Sequence, residues 1–337
     1  MSVPSGLPLG LSVASHSGLA PAAVGQVAAS AEAAGFSAVF VAEGHGDALS
    51  LCHPVIAATR QARVGTAVAN AALRPPVLAA KTAAQLDQAS GGRFLLGLGV
   101  ANEVMNSRFG LPSVPPLPMI AEYAAVVRAV LAGQEYAGTL FRAGLVPLDS
   151  PPARQVPVYL AALGPRMLEL AGRIADGVIL NLMSPAQAAE AADMVRAAAA
   201  GAGRDPAAVE IACVVHTCLS AEPAAAAAAA RAVVPRYILH PAAPRLFGAQ
   251  CVPAIAERVL AGDRAGAAQA VPDDVAAAVV AAGDAAACAA RAEQYRAAGV
   301  DLPVLFPMPV GGDWAYEQVI SAFRAAPAAT TEQEAPA

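Results

Sequence analysis

A (β/α)8 TIM barrel is the fold class this sequence predicts, and three observations predict it. Eight short apolar runs recur along the chain, and helical stretches separate them. The segment "VYLAALGPRMLELAGRIADGVILN", residues 158 to 181, shows the repeating unit in full: strand, break, helix, turn, strand. At 337 residues the chain exceeds one average domain and suits one barrel with insertions.

Each element has its own signal. Leu9 to Ala14 reads as the first strand, and Pro21 to Ala34 as a helix stopped by Gly35. Ala38 to Ala42 is the second strand, followed by an amphipathic stretch from Leu49 to Thr59. Val64 to Val68 and Pro76 to Gln88 form the third pair, and Phe94 to Leu98 is the fourth strand. Regularity then lapses into an insertion: the Pro-rich "GLPSVPPLP" reads as a loop, Ile120 to Leu131 as a helix, and "EYAGTLFRAG" as a small hairpin.

Val158 to Ala162 is the fifth strand. Pro165 falls at a first helical position, where its missing N–H would have lacked a partner anyway. Met167, Leu170, Ala171 and Ile174 then give that helix one apolar face. Asp176-Gly177 turns the chain into the sixth strand at Val178, and Val209 to Thr217 is the seventh. A long Ala-rich insertion with several Pro breaks follows, expected to be helical, before "GVDLPVLFPM" supplies the eighth strand and Tyr316 to Phe323 the last helix. Residues 1–326 are expected to form a single barrel domain, with 327–337 a disordered tail. A doubly wound dinucleotide fold competes, but "GLGVAN" lacks the third glycine of its fingerprint.

Composition excludes several function classes. With 57% hydrophobic and 14% charged residues the chain can bury a large core. A net charge of −5 with no basic stripe argues against nucleic acid as a partner. The first 19 residues lack a basic start, and no run of about 20 strongly apolar residues occurs, so neither a targeting signal nor a membrane span is expected. Five cysteines without CxxC spacing point to reduced thiols in a cytoplasmic protein. No metal site is expected, because Cys213 on one strand would face away from His216 and Cys218.

In a barrel of this kind the chemistry sits in the loops after the strands. Reading those ends in order gives Ser15 and His16, Glu43 and His45, Asn70, Asn102 and Glu103, Gly164 and Arg166, Asn181 and Ser184, His216 and Thr217, and Met308. Glu43, closing an apolar strand, is either a buried carboxylate with a partner or a poised acid or base. His45 and His16 either touch ligand or are solvated turn residues, and His216 is a core histidine or a ligand contact. His53 and His240 read as structural. A Ser-His-Asp hydrolase is excluded for want of a GxSxG turn. Gly164 leaves backbone amides bare at a helix entrance, so it is a tight turn or an anion site.

These residues also carry a resemblance. The run "RVGTAVANAALRPPVLAAKTAAQLDQASGGRFLLGLGVAN" resembles the third-to-fourth strand signature of the luciferase-like flavin-dependent barrels. "ALGPRMLELAGRIADGVILN" resembles the fifth-to-sixth strand signature of their deazaflavin branch, which includes methylenetetrahydromethanopterin reductase. The likeness runs from about residue 8 to 185 and is thin afterwards. It implies an oxidoreductase that uses coenzyme F420, or alternatively an FMN-dependent two-component monooxygenase, acting on a small organic substrate, and working as a homodimer. It further implies a non-prolyl cis peptide at Ala67-Val68 under the tricyclic ring, with Asn70, Val100 and Asn102 nearby. Ala162, Leu163 and Gly164 would line the ring, and Arg166, Asn181 and Ser184 would lie toward the phosphate tail. The catalytic candidates are Glu43, His45 and His16.

Two departures stand out. Relatives in this branch often carry Asp-His after the second strand, where this chain has Glu43-Gly44 with His45 one place late. They often carry an acidic residue where Asn102 stands. A barrel that has lost its redox chemistry is therefore a third reading.

Overall fold

The computed structural model describes residues 8–100, 103–312 and 314–324. The expected tail 327–337 and the candidate Asn102 lie outside the described residues.

Eight strands form the barrel: β1 (Gly10–Ala14), β2 (Ala38–Ala42), β3 (Arg63–Thr66), β4 (Phe94–Gly99), β5 (Val158–Ala161), β6 (Gly177–Asn181), β7 (Glu210–Leu219) and β8 (Leu302–Pro307). Every neighbouring pair is parallel, and β1 pairs with both β2 and β8, so the sheet closes on itself. The helices that cover it are α1 (Pro21–Ala33), α2 (Ala48–Ala58), α3 (Pro76–Ser90), α4 (Pro116–Leu131), α5 (Pro165–Ile174), α6 (Pro185–Gly201), α7 (Ala285–Ala297) and α8 (Tyr316–Ala322). Strands covered on both faces are nearly pure apolar runs, as the buried β1, β2 and β8 are. Proline opens α1, α3, α4, α5 and α6, where the first N–H groups need no helical partner.

Three local readings of the sequence are corrected. The Pro-rich loop is shorter than expected, because α4 already starts at Pro116 and both Pro116 and Pro118 fit its first turn. The third strand stops at Thr66, short of Val68; the Ala67-Val68 bond is cis, as the resemblance implied, and Ala69–Asn70 then pairs separately with the end of β4. The Ala-rich insertion after β7 is mostly helical, yet it ends in a strand, Ala281–Gly283, that pairs with the last three residues of β7. Its alanines carry no β-type signal, so pairing with β7 rather than propensity makes it a strand.

The floor of the barrel is polar. Arg63, at the start of β3, forms a two-pronged ion pair with Glu210 on β7 at 2.6 and 2.8 Å, and Tyr159 on β5 donates to the same carboxylate. These strands are not neighbours, so the three side chains meet across the lumen. Burial works to raise the Glu210 carboxyl, but the hydrogen bonds and charge of Arg63, and then Tyr159, hold it below the usual range. This cluster lies where the strands start, and the loops that carry the candidate residues lie where they finish.

Candidate active site

The mouth is built from two unlike halves. On the side of β3, β4 and β5 the side chains are small. Any Cβ at Gly97 would collide with the Thr66 carbonyl, and one at Gly99 would run into Val68, so glycine here lets the irregular stretch after β3 settle against β4. Thr66 ties the two strands, its hydroxyl donating to the Gly97 carbonyl at 2.6 Å and accepting from the Gly97 N–H at 3.1 Å. Gly164 differs: a Cβ there would meet nothing within 4 Å, so the backbone faces open space. Ala67, Val68, Val100 and Leu163 are partly exposed around this half, while Ala162 is buried.

The stretch after β3 is held from beneath. Glu43, with its side chain 8% exposed, pairs with Arg74, which is 12% exposed, at 2.5 Å, and it also accepts the Asn70 backbone N–H. Arg74 reaches Asp47 at 2.8 Å and the Asn70 carbonyl at 3.0 Å. Burial works to lower the Arg74 pKa, but bonding to Glu43 and the charges of Glu43 and Asp47 raise it overall. The Asn70 side chain accepts from the Ala72 N–H at 3.0 Å and donates to Asn106 at 3.1 Å, and Asn106 in turn donates to the Val100 carbonyl at 3.0 Å. Neither Arg74 nor Asn106 was legible as a site residue, because each lies four or more residues past its strand and no pattern marks it.

The other half, over β7, β8, β1 and β2, is made of rings. His45 and His16 stand 5.7 Å apart, His16 meets Trp314 edge-on at 5.3 Å, and Trp314 stacks on Phe306 at 5.8 Å. Phe306 lies 5.1 Å from His216, and His216 meets Tyr237 at 5.5 Å. His216 is 1% exposed, bonded through Nε2 to the Asn181 side-chain oxygen at 3.0 Å, with Nδ1 3.4 Å from the Met308 sulfur. Burial, and secondarily the Arg236 charge, push its pKa down to about 3, so it is neutral. His16 is also lowered, by burial first and then by the charges of Arg236 and His45, and its Nδ1 is buried without a hydrogen-bond partner.

The remaining candidates gather at the β5 and β6 ends. Ser184 caps α6 in a reciprocal box with Gln187, at 3.2 and 2.9 Å. Gln187 also holds the carbonyl of Arg245 at 2.8 Å, and Arg245, from the insertion helix Ala243–Phe247, donates to the Leu163 carbonyl at 2.8 Å. Arg166 is exposed on the first turn of α5. Sequence reasoning missed Arg236, Tyr237, Arg245 and Trp314, because three of them come from an insertion that matches no strand end.

In closed parallel barrels ligand sites are built from the loops after the strands, which is where these candidate residues gather. The chain belongs to the luciferase-like monooxygenase family, whose model matches residues 4–302. A 5,10-methylenetetrahydromethanopterin reductase from Methanolobus tindarius is 33% identical over 208 residues, covering 60% of this chain and 64% of that enzyme. The match thus spans less than two thirds of that relative's length. The structure of the coenzyme F420-dependent tetrahydromethanopterin reductase from Methanopyrus kandleri superposes with a TM-score of 0.83 at 24% identity, covering 95% of this chain and 98% of that one. An F420-dependent secondary alcohol dehydrogenase, solved with an F420-acetone adduct, gives 0.76 at 22% identity, covering 94% and 99%. These two likenesses carry the barrel architecture.

Proposed function

We propose that the protein is an oxidoreductase that binds coenzyme F420 and passes a hydride between it and a small organic substrate. The observation that carries this reading is Gly164, whose backbone faces open space at the end of β5, on the same half of the mouth as the partly exposed Ala67, Val68 and Leu163. Relatives whose names specify F420 or its partner pterin support it. When bound, the deazaflavin supplies the hydride, and the protein supplies position and electrostatics.

In this reading Ala67, Val68, Val100, Ala162, Leu163 and Gly164 line the ring. Asn70 and Asn181 stand at its edges, where their amides hold Asn106 and His216, and Arg166 and Ser184 lie toward the phosphate. Ser184 accepts from the Gln187 N–H and keeps its own hydroxyl proton free to donate. Glu43 is assigned to positioning, since both its oxygens are engaged by Arg74 and the Asn70 N–H. The proton that accompanies hydride transfer is assigned to His16, whose pKa is lowered by burial and then by the charges of Arg236 and His45, with His45 beside it facing solvent. Residues 1–326 act as one domain, and the protein works in the cytoplasm as a homodimer. The free cysteines fit a reducing compartment, and exposed Leu78, Phe109 and Leu145 supply apolar surface for pairing.

Absorption titration of the purified protein with F420 and, separately, with FMN tests the reading. Micromolar binding of F420 is expected. Micromolar binding of FMN with none of F420 overturns it in favour of a flavin monooxygenase, and binding of neither overturns it in favour of a non-redox barrel.

A further inference from the structure

The ring-lined half of the mouth has a composition of its own. Aromatic residues make up only 4% of the chain, and it holds five histidines and one tryptophan. Three of those histidines and the tryptophan stand in one continuous wall with Phe306 and Tyr237. A core needs no such concentration, and the opposite half of the same mouth has none of it. His16, Trp314 and Tyr237 are partly exposed and His45 is exposed, so these four rings form the accessible surface over the buried His216 and Phe306.

A cation completes it. Arg236 closes a 3-10 turn, Val234–Arg236, immediately before Tyr237, whose ring packs on His216. The guanidinium is exposed, and among the described residues no carboxylate pairs with it. Its neighbour Tyr237 stands 5.5 Å from His216, which puts Arg236 at the end of the wall. Of the acids near the mouth, Glu43 and Asp47 are already turned toward Arg74 on the β2 side. Glu190 pairs with Arg245 at the α6 side.

We propose that this half is the substrate subsite, and that it takes a flat, unsaturated organic anion, such as an aromatic carboxylate, with its ring against the wall and its charge on Arg236. Rings attract a planar π-system by offset and edge-on contact beyond what area burial gives. The guanidinium fork matches a carboxylate's two oxygens. The assignment rests on the F420 reading, which gives the other half of the mouth to the cofactor.

Trp314 is the only tryptophan, so its fluorescence reports this wall directly. Three probes separate the two features: benzoate is flat and charged, cyclohexanecarboxylate is charged but not flat, and benzyl alcohol is flat but neutral. Titration of the purified protein should show benzoate perturbing Trp314 and binding about tenfold more tightly than either of the others. Arg236→Gln should remove the advantage of benzoate over benzyl alcohol while the melting temperature stays put. Calorimetry with F420 added first identifies the source of the anion: benzoate that still binds marks a substrate subsite, whereas benzoate displaced by F420 assigns Arg236 to the cofactor's own tail and overturns the proposal. Equal binding of the three probes, or binding of none, also overturns it. Should benzoate keep its preference in a protein that binds no F420, the subsite stands and the cofactor reading fails.

Discussion

The two halves of the mouth are made selective by opposite means. Over β3 to β5, side chains are small and Gly164 leaves its backbone facing open space, and polar side chains hold the stretch after β3 from beneath through Glu43, Arg74, Asn70 and Asn106. Over β7 to β2, large rings are added and buttress one another, with Trp314 also stacked on Tyr316 at 5.7 Å and His216 pinned by Asn181. A surface of peptide groups accepts one invariant ligand, since backbone cannot be retuned by substitution. A surface of side chains can be redrawn residue by residue. The difference suits a constant cofactor on one side and a variable substrate on the other.

The comparison breaks first at its buried ion pair. Arg74→Met leaves the Glu43 carboxylate buried without its partner, and loss of one member of such a pair costs about 3 to 5 kcal/mol. Chemical denaturation should show that loss, together with weakened F420 binding, while benzoate still perturbs Trp314 in the folded fraction. Equal damage to both ligands would mean that the halves are not independent.

Next is Gly164→Val. Its φ of −103° suits any residue and nothing stands within 4 Å of the new Cβ, so the melting temperature should hold. F420 affinity should fall by about 100-fold, which corresponds to about 2.7 kcal/mol at an intimate backbone contact. An unchanged titration would remove Gly164 from the cofactor surface.

A smaller effect belongs to the ring side. His216 titrates at 6.5 when unfolded and near 3 when folded, so the unfolded chain binds the extra proton between those values. Stability from this residue is complete above pH 6.5 and declines as pH falls toward 3, at up to about 1.4 kcal/mol per pH unit. Denaturant midpoints of wild type and His216→Leu, compared from pH 7 to 4, should converge as pH falls. Parallel curves would show that His216 is not held neutral. The smallest effect expected is that of Ser184→Ala, which removes one arm of the α6 cap at a cost of about 1 kcal/mol. If Ser184 also serves the phosphate, F420 binding should weaken beyond what that helix loss explains.

Legibility differed between the halves for a physical reason. Strand ends are marked by local signals, so Asn70, Gly164 and Asn181 were proposed at the ends of apolar runs, whereas Ala67, Val68 and Leu163 came from the family resemblance. Glu43 was found too, but its locked geometry was not, because Arg74 reaches it across 31 positions of chain. Trp314 and Tyr237 gave no signal at all. Tyr237 lies in an Ala-rich insertion without strand periodicity, and its pairing with His216 appears only after that insertion folds over β7.

The sequence by itself determined the eight strands, most helix starts and the end of the barrel where chemistry belongs, because alternation, apolar runs and proline at first turns act over a few residues. Tertiary structure alone decided the closure of the sheet, the polar floor of Arg63, Tyr159 and Glu210, and the division of the mouth into a backbone face and a ring face. Those features join residues from distant strands, and contacts of that kind leave no local pattern for a reader of one chain to find.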